Sequence, residues 1–542
     1  MAYGGVDLVL RDGAVWTGVR RAGQVVTAHA VAIGGGRVLA LGDEAEALAD
    51  AATSVVGLEG GTLVPGFGDG HAHPTQGGIA ALFADVGSAG SVDEVVAAVR
   101  EWAAAHPDAE WVRGEGYDPS LAPRGEFDAR WLDAAVPDRP VVLRATDYHT
   151  AWVNSRALEL AGIGQGTPQP ADGEIVLRAD GTPMGTLREW GAWRPVYALV
   201  PALDRDTRVA AVEHATETYA AAGVTWLQDA WVEDDVWTTW RAGHDAGLLR
   251  QRVNLALLAE PGRWREDLPG LVERRREVEA HAPGVLSART VKFFADGILE
   301  GGTAALLEPY CDCPTSHGMP NWEPAELAAA VTAVVGAGFQ PHIHAIGDAG
   351  VRAALDAVRA AVREHGTARR PVIAHAQLVD PDDLLRFRDL GVVANFEPLW
   401  AQLDPAQTEL TLPRLGQPRG DRQYPIATLL RSGAPVSFGS DWPVSSPVPL
   451  RGIAVAVTRQ TPDGRPPGGW VPAERLTLDE ALLAYTAGVA HQAGEEGLWG
   501  RIVPGARADL AWLAARVHEL DPAALPEVAV AGTWLAGIRV HG

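Results

Sequence analysis

Hydrophobic positions along this chain follow two rhythms. In the first sixty or so residues, short apolar runs alternate with polar residues and are broken by glycines, as in VDLVLRDGAVWTG, HAVAIGGGRVLALG and TSVVGLEGGTLVPG. Period-two alternation with close turn signals predicts short strands of a small β domain. The same texture returns near the C-terminus in ADLAWLAARV and GTWLAGIRVHG. Residues 1–64 and 498–542 are therefore expected to form one composite β-sandwich from both ends of the chain.

Between these ends, short β-branched runs alternate with helical patterns. Eight candidate strands end near LVPGFGDGHAH, GVTWLQDA, RVNLALLAE, TVKFFADG, FQPHIHAIGD, PVIAHAQ, GVVANFEP and PVSFGSDWP. Strand–helix alternation predicts a parallel sheet with crossovers, and eight such units predict an α/β fold, a (β/α)8 TIM barrel over residues 65–497. The first crossover, residues 75–205, is too long for one helix and is expected to carry an inserted subdomain. Ser91 and Glu94 have the spacing of a helix-opening capping box there, and Thr477 and Glu480 repeat it after the barrel.

Composition narrows the function classes. The chain has 542 residues and a net charge of −24, which argues against nucleic-acid partners, since these need a basic surface. No apolar run reaches the length of a membrane span, and no basic start precedes an apolar stretch, so no membrane partner is expected and a cytoplasmic location is. The two cysteines, Cys311 and Cys313, cannot build a disulfide framework. One count stands out: Lys plus Arg total 45, and Lys292 is the single lysine.

In a TIM barrel the reactive groups sit at the C-terminal ends of the strands. Here those ends hold His71 and His73 on the first strand, Lys292 on the fourth, His342 and His344 on the fifth with Asp348 beyond, His375 on the sixth and Asp441 after the eighth. Imidazoles and carboxylates converging on one mouth suit Zn2+, and two-metal hydrolytic sites need a bridging anion. A neutral lysine amine can take up carbon dioxide to become a carbamate, which arginine cannot do. That chemistry would explain why position 292 is not Arg.

VPGFGDGHAHP, VKFFADGILEGGTAALLEPY, HIHAIGD, IAHAQLVDP and FGSDWPV, in this order, resemble the amidohydrolase superfamily, specifically the amidohydrolase-3 branch that includes N-substituted formamide deformylases. DYHTAWVNSRALELAGI in the insertion and EGLWGRIVPGARADLAWL near the end extend the likeness over nearly the whole chain. The resemblance implies a metal-dependent hydrolase of an amide or N-formyl carbon–nitrogen bond, other than a peptide bond. By motif, His71, His73 and Asp441 would hold one ion, and carboxylated Lys292 would bridge to a second held by His344 and His375. One or two zinc ions are compatible with the pattern, and His342 is either an alternative ligand or a support for one. The implied reaction is attack of a metal-bound hydroxide on the carbonyl, with Asp441 as general base and then acid and His149 contacting the substrate oxygen.

Of 19 tryptophans, Trp152, Trp190, Trp231, Trp400 and Trp442 fall near the motifs, so a small-molecule substrate with an aromatic or bulky apolar N-substituent is expected. Glu300 is a further candidate for facing the pocket. A homodimer is the expected assembly. The competing readings are a deaminase or lactonase on the same scaffold and a non-catalytic dihydropyrimidinase-like binding protein. Lys292 counts against the deaminases, which generally use one metal without it, and the full set of ligand positions counts against a binding protein.

Overall fold

The computed structural model describes residues 5–170, 172–367 and 369–542. The first four residues, on which the reading of the N-terminus partly rests, lie outside them. Eight parallel strands form one sheet in sequential order: β1 (Phe67–Ala72), β2 (Val224–Val232), β3 (Arg252–Leu258), β4 (Leu286–Phe294), β5 (Gln340–Ala345), β6 (Val372–His375), β7 (Val393–Phe396) and β8 (Val436–Phe438). Their inward and outward faces are both covered, so nearly every strand residue is buried, the inward polar ones included. The outer helices pack Leu327, Val331, Val351, Leu355 and Val358 against this sheet.

The sheet curls until the segment after β8 returns to β1. The Asp441 N–H donates to the His71 carbonyl at 2.7 Å, and the Ser440 N–H donates to the Asp69 carboxylate at 2.9 Å. Gly439 permits this approach, because a Cβ there would stand 2.7 Å from the His71 nitrogen. The closure places Asp441 beside the His-x-His segment although 370 positions of sequence separate them.

Two further β layers flank the barrel. A four-stranded sheet holds Leu8–Arg11, Val31–Gly34, Arg37–Leu41 and Ser54–Gly57, all from the N-terminal end. A six-stranded sheet mixes the two ends of the chain, with Thr62–Pro65 pairing antiparallel to Leu510–Leu513. Val15, Leu63, Leu510, Trp512 and Trp534 share one core there. Arg252 at the base of β3 donates to Asp509 at 2.6 Å, an ion pair between the barrel and this sheet.

The crossover between β1 and β2 contains its own six-stranded sheet, running from Ala84–Asp85 to Pro183–Arg188. Its helix Val92–Ala105 is capped at Ser91, whose hydroxyl accepts from the Glu94 N–H at 3.3 Å. The expected reciprocal bond is displaced by one residue, because the Glu94 carboxylate accepts from the Gly90 N–H at 2.7 Å rather than from Ser91. The Thr477 and Glu480 box forms in both directions. Among the described residues, no helix is long and apolar enough to cross a membrane.

Candidate metal centre

Seven of the side chains singled out in the sequence line one pocket at the C-terminal mouth of the barrel: His71, His73, His149, Lys292, His344, His375 and Asp441. His71 projects from β1, while His73 lies one residue beyond that strand, at the N-terminus of the helix Pro74–Ala80. Asp441 (φ 53°) and His375 (φ 73°) both adopt left-handed backbone conformations, uncommon for non-glycine residues and concentrated where function constrains geometry.

The donor atoms converge. His73 Nε2 lies 3.0 Å and His71 Nε2 3.6 Å from the same oxygen, Oδ1 of Asp441. One ligand atom from each of these three buried residues falls within 4.8 Å of the others. Yet Asp441 Oδ1 accepts no well-formed hydrogen bond, and two imidazole nitrogens beside one unsatisfied carboxylate oxygen make a donor set that could hold a cation. On the other side, the rings of His344 and His375 stand 4.6 Å apart and those of His71 and His375 4.7 Å.

Contacts behind these rings set which nitrogen faces inward. His71 Nδ1 is 2.7 Å from His342 Nε2, which leaves His71 Nε2 for the pocket. His375 Nδ1 is 2.8 Å from the Glu397 carboxylate, which leaves its Nε2. His344 uses Nε2 against the Gly297 carbonyl at 3.2 Å, so Nδ1 is its remaining nitrogen. A carboxylate or carbonyl behind an imidazole is the usual support of a metal-binding histidine. His342 thus touches His71 rather than the pocket, which it does not line.

Lys292 is fully buried, with Nζ 3.4 Å from His71 Nε2 and 4.5 Å from the centre of the Phe294 ring. Burial pulls its pKa down to about 7, against the opposing pull of Asp441 and Glu397, so a large share of the amine is neutral near pH 7. Burial and the neighbouring cations also push His71, His342 and His344 well below the ordinary imidazole value, the uncharged form that binds metals. For Asp441, burial favours the acid, but the His73 imidazole close beside it outweighs burial and holds the carboxyl below its usual range. Burial raises Asp296 to about 7 even though three backbone N–H groups, of Ala305, Ile346 and Gly347, donate to it.

The insertion closes the mouth. His149 sits just before the strand Thr150–Val153 and Glu189 just after Pro183–Arg188, and these strands pair antiparallel with Thr150 opposite Arg188. Trp190, Trp231 and Phe294 interlock on one wall, with ring centres 4.6 to 5.4 Å apart, and Trp400 lies parallel to the His375 ring. Other sequence candidates stand elsewhere. Trp152 packs on Tyr117 and Phe127 inside the insertion, and Trp442 packs on Tyr219. Glu300 accepts from Thr411 outside the pocket lining, and Asp348 accepts from the Leu307 N–H. Sequence reasoning passed over Glu397, Asp296 and Glu189, although the first two stand inside the motifs NFEP and FFADG.

The amidohydrolase family model matches residues 54–541. The chain belongs to this family. The N-substituted formamide deformylase of Arthrobacter pascens is 28% identical over 534 residues, covering 94% of each chain. The protein LONG AFTER FAR-RED 3 of Arabidopsis thaliana is 29% identical over 521 residues, covering 93% of this chain and 86% of its own. Among solved structures, an uncharacterized metal-dependent hydrolase from Pyrococcus furiosus superposes with a TM-score of 0.70 at 25% identity, covering 93% of this chain and 98% of that one. The protein is a metal-dependent amidohydrolase, an enzyme acting on carbon–nitrogen bonds other than peptide bonds.

Proposed function

We propose that the enzyme hydrolyses an amide or N-formyl bond of a small molecule bearing an aromatic or bulky apolar N-substituent. The observation that carries this reading is the convergence of His71 Nε2 and His73 Nε2 on one unsatisfied oxygen of Asp441, beside a buried lysine without a carboxylate hydrogen bond. His71, His73 and Asp441 would hold one zinc ion, and Lys292, His344 and His375 a second where two are bound. Bound zinc would polarise the scissile carbonyl and acidify the attacking water.

The chain's own groups do the rest. The Asp441 carboxylate takes the proton from the attacking water and delivers it to the departing nitrogen, which must leave as an amine. The Lys292 amine, when neutral, could take up carbon dioxide with release of one proton, and the resulting carbamate would supply the anionic ligand that an amine or a guanidinium lacks. Trp190, Trp231, Trp400 and Phe294 give the mouth apolar walls that exclude water and suit an apolar substituent. The deformylase activity named for the Arthrobacter relative supports the N-formyl choice.

The test is turnover of a panel of N-substituted formamides, simple amides and N-acyl amino acids by zinc-loaded wild type and Lys292→Arg, with metal analysis of both. Wild type should release amine from a formamide or amide, and Lys292→Arg should lose metal and at least about 100-fold in kcat/KM. An Arg variant with full metal content and full activity would sink the carbamate. Release of ammonia from an amino-substituted ring, or lactone opening, with no amide turnover would replace the amide reading.

A further inference from the structure

The hydrogen bonds behind His149 form a relay that runs from the insertion to the segment after β4. His149 Nδ1 lies 2.8 Å from Oε2 of Glu189, and the other oxygen of that carboxylate accepts from the Thr303 hydroxyl at 2.5 Å. Glu189 and Thr303 are buried, and Glu189 holds a left-handed φ of 59°. A glutamate bent into that conformation to reach a histidine costs backbone energy that its two contacts must offset. Its own N–H donates to the His149 carbonyl at 2.8 Å, so the antiparallel register sets the two residues face to face.

Thr303 is fixed in turn. It belongs to the segment after β4, and its oxygen accepts from the Ile298 N–H at 2.9 Å. Gly297 makes room for the arrangement, since a Cβ there would fall 2.2 Å from Thr303 Oγ1 and 2.5 Å from Glu189 Oε1. The Gly297 carbonyl also contacts His344. One short segment of the barrel therefore touches a ligand candidate and, through Glu189, the histidine that the insertion brings to the mouth.

The geometry points to Glu189, held by Thr303, as a positioning residue for hydrolysis: its carboxylate accepts the His149 Nδ1–H, favours the doubly protonated imidazolium and aims Nε2 at the scissile carbonyl, so that Nε2–H donates to the oxygen that gains charge. This rests on the hydrolytic reading above and on His149 facing the substrate. A carboxylate behind a histidine holds its ring orientation and stabilises its charged form, and its loss changes turnover far more than binding when the histidine acts mainly in the transition state. The bonds broken and formed are those of the hydrolysis itself, and Glu189 exchanges no proton with the substrate.

The test uses the zinc-loaded full chain and the substrate found in the panel. Glu189→Gln, nearly isosteric, should lower kcat by about 100-fold with KM within about threefold and metal content unchanged. Thr303→Val should lose a smaller factor, and Thr303→Ser should restore wild-type turnover, because it retains the hydroxyl. In a double-mutant cycle, His149→Asn with Glu189→Gln should be no slower than His149→Asn alone, since the two act as one unit. Additive losses, or a Glu189→Gln enzyme within threefold of wild type in kcat, overturn the proposal. If wild type turns over no panel substrate, the hydrolytic reading fails separately. The relay is then judged by NMR of the histidine-15N-labelled, zinc-loaded protein: a downfield ring N–H proton absent from His149→Asn should also vanish in Glu189→Gln and persist in Thr303→Ser. Its persistence in Glu189→Gln overturns the relay.

Discussion

Two polar layers are buried inside the same barrel, and they differ in how completely they satisfy themselves. Towards the N-terminal ends of the strands, Asn254 donates to Gln228 and Thr290 and accepts from Ser287, and Thr290 donates to Gln340. Ser437 donates to Gln492, whose amide reaches the Gly70 carbonyl at 2.7 Å. These groups are neutral and, Asn395 Oδ1 aside, the layer is closed on itself. At the C-terminal mouth Asp441 Oδ1 and His73 Nδ1, and just behind it His342 Nδ1 and Glu397 Oε1, are buried without hydrogen-bond partners among the described residues. An unpaired buried polar atom costs about 1–3 kcal/mol, so a closed layer serves stability and an open one waits for something to bind. Inside the barrel, the contrast marks the C-terminal layer as the less satisfied of the two.

That contrast can be broken from either side. The largest expected effect is at the mouth: Asp441→Asn should reduce kcat by about 1,000-fold, more than it reduces zinc content, because the amide cannot carry the proton. Comparable falls in both would make Asp441 a ligand only. Next is metal removal. Stripping with a chelator should lower the thermal midpoint, and zinc at about 100 times its Kd should restore about 2.7 kcal/mol. Asn254→Leu, in the closed layer, should cost about 2 kcal/mol by leaving Gln228 Oε1 and Ser287 unpaired. It should leave kcat within twofold and the zinc-induced shift intact. If Asn254→Leu instead abolished the zinc shift, the two layers would not be independent.

The same contrast explains what could be read from the residues alone. His71, His73, Lys292, His375 and Asp441 were legible because a strand–helix repeat tells which end of each strand faces the mouth, and chemistry-bearing types cluster at those ends. The eight strands and the two-ended sandwich were legible because each strand's apolar run is bounded by glycine or proline. Glu397, Asp296 and Glu189 were not legible, because each acts on a ring or on backbone N–H groups brought to it by tertiary closure. Glu189 in particular faces His149 only through the register that pairs Thr150 with Arg188 across a crossover of unknown topology. His342 shows the limit most plainly. It has the same residue type and strand face as His344, yet its Nε2 is taken up by His71.

The smallest expected effect lies outside the barrel and tests whether charge in the insertion is structural in the same sense. Asp128 is buried, and its carboxylate accepts from Arg178 and Arg130 and from the Arg130 N–H. Burial alone would raise its pKa, but these donors win and hold it well below the ordinary carboxylate value. A carboxyl depressed in the folded state contributes stability that is present above its unfolded pKa of about 3.9 and is lost as pH falls through the folded value. Asp128→Asn should therefore cost about 1–2 kcal/mol at pH 7, a value kept small because Arg130 is largely solvent-exposed. The gap between wild type and variant in thermal midpoint should be constant from pH 7 to about 5 and narrow as pH falls below 4. A gap that stays constant down to pH 2.5 would mean that Asp128 matters for shape and not for charge, which would place it with the closed layer of neutral amides.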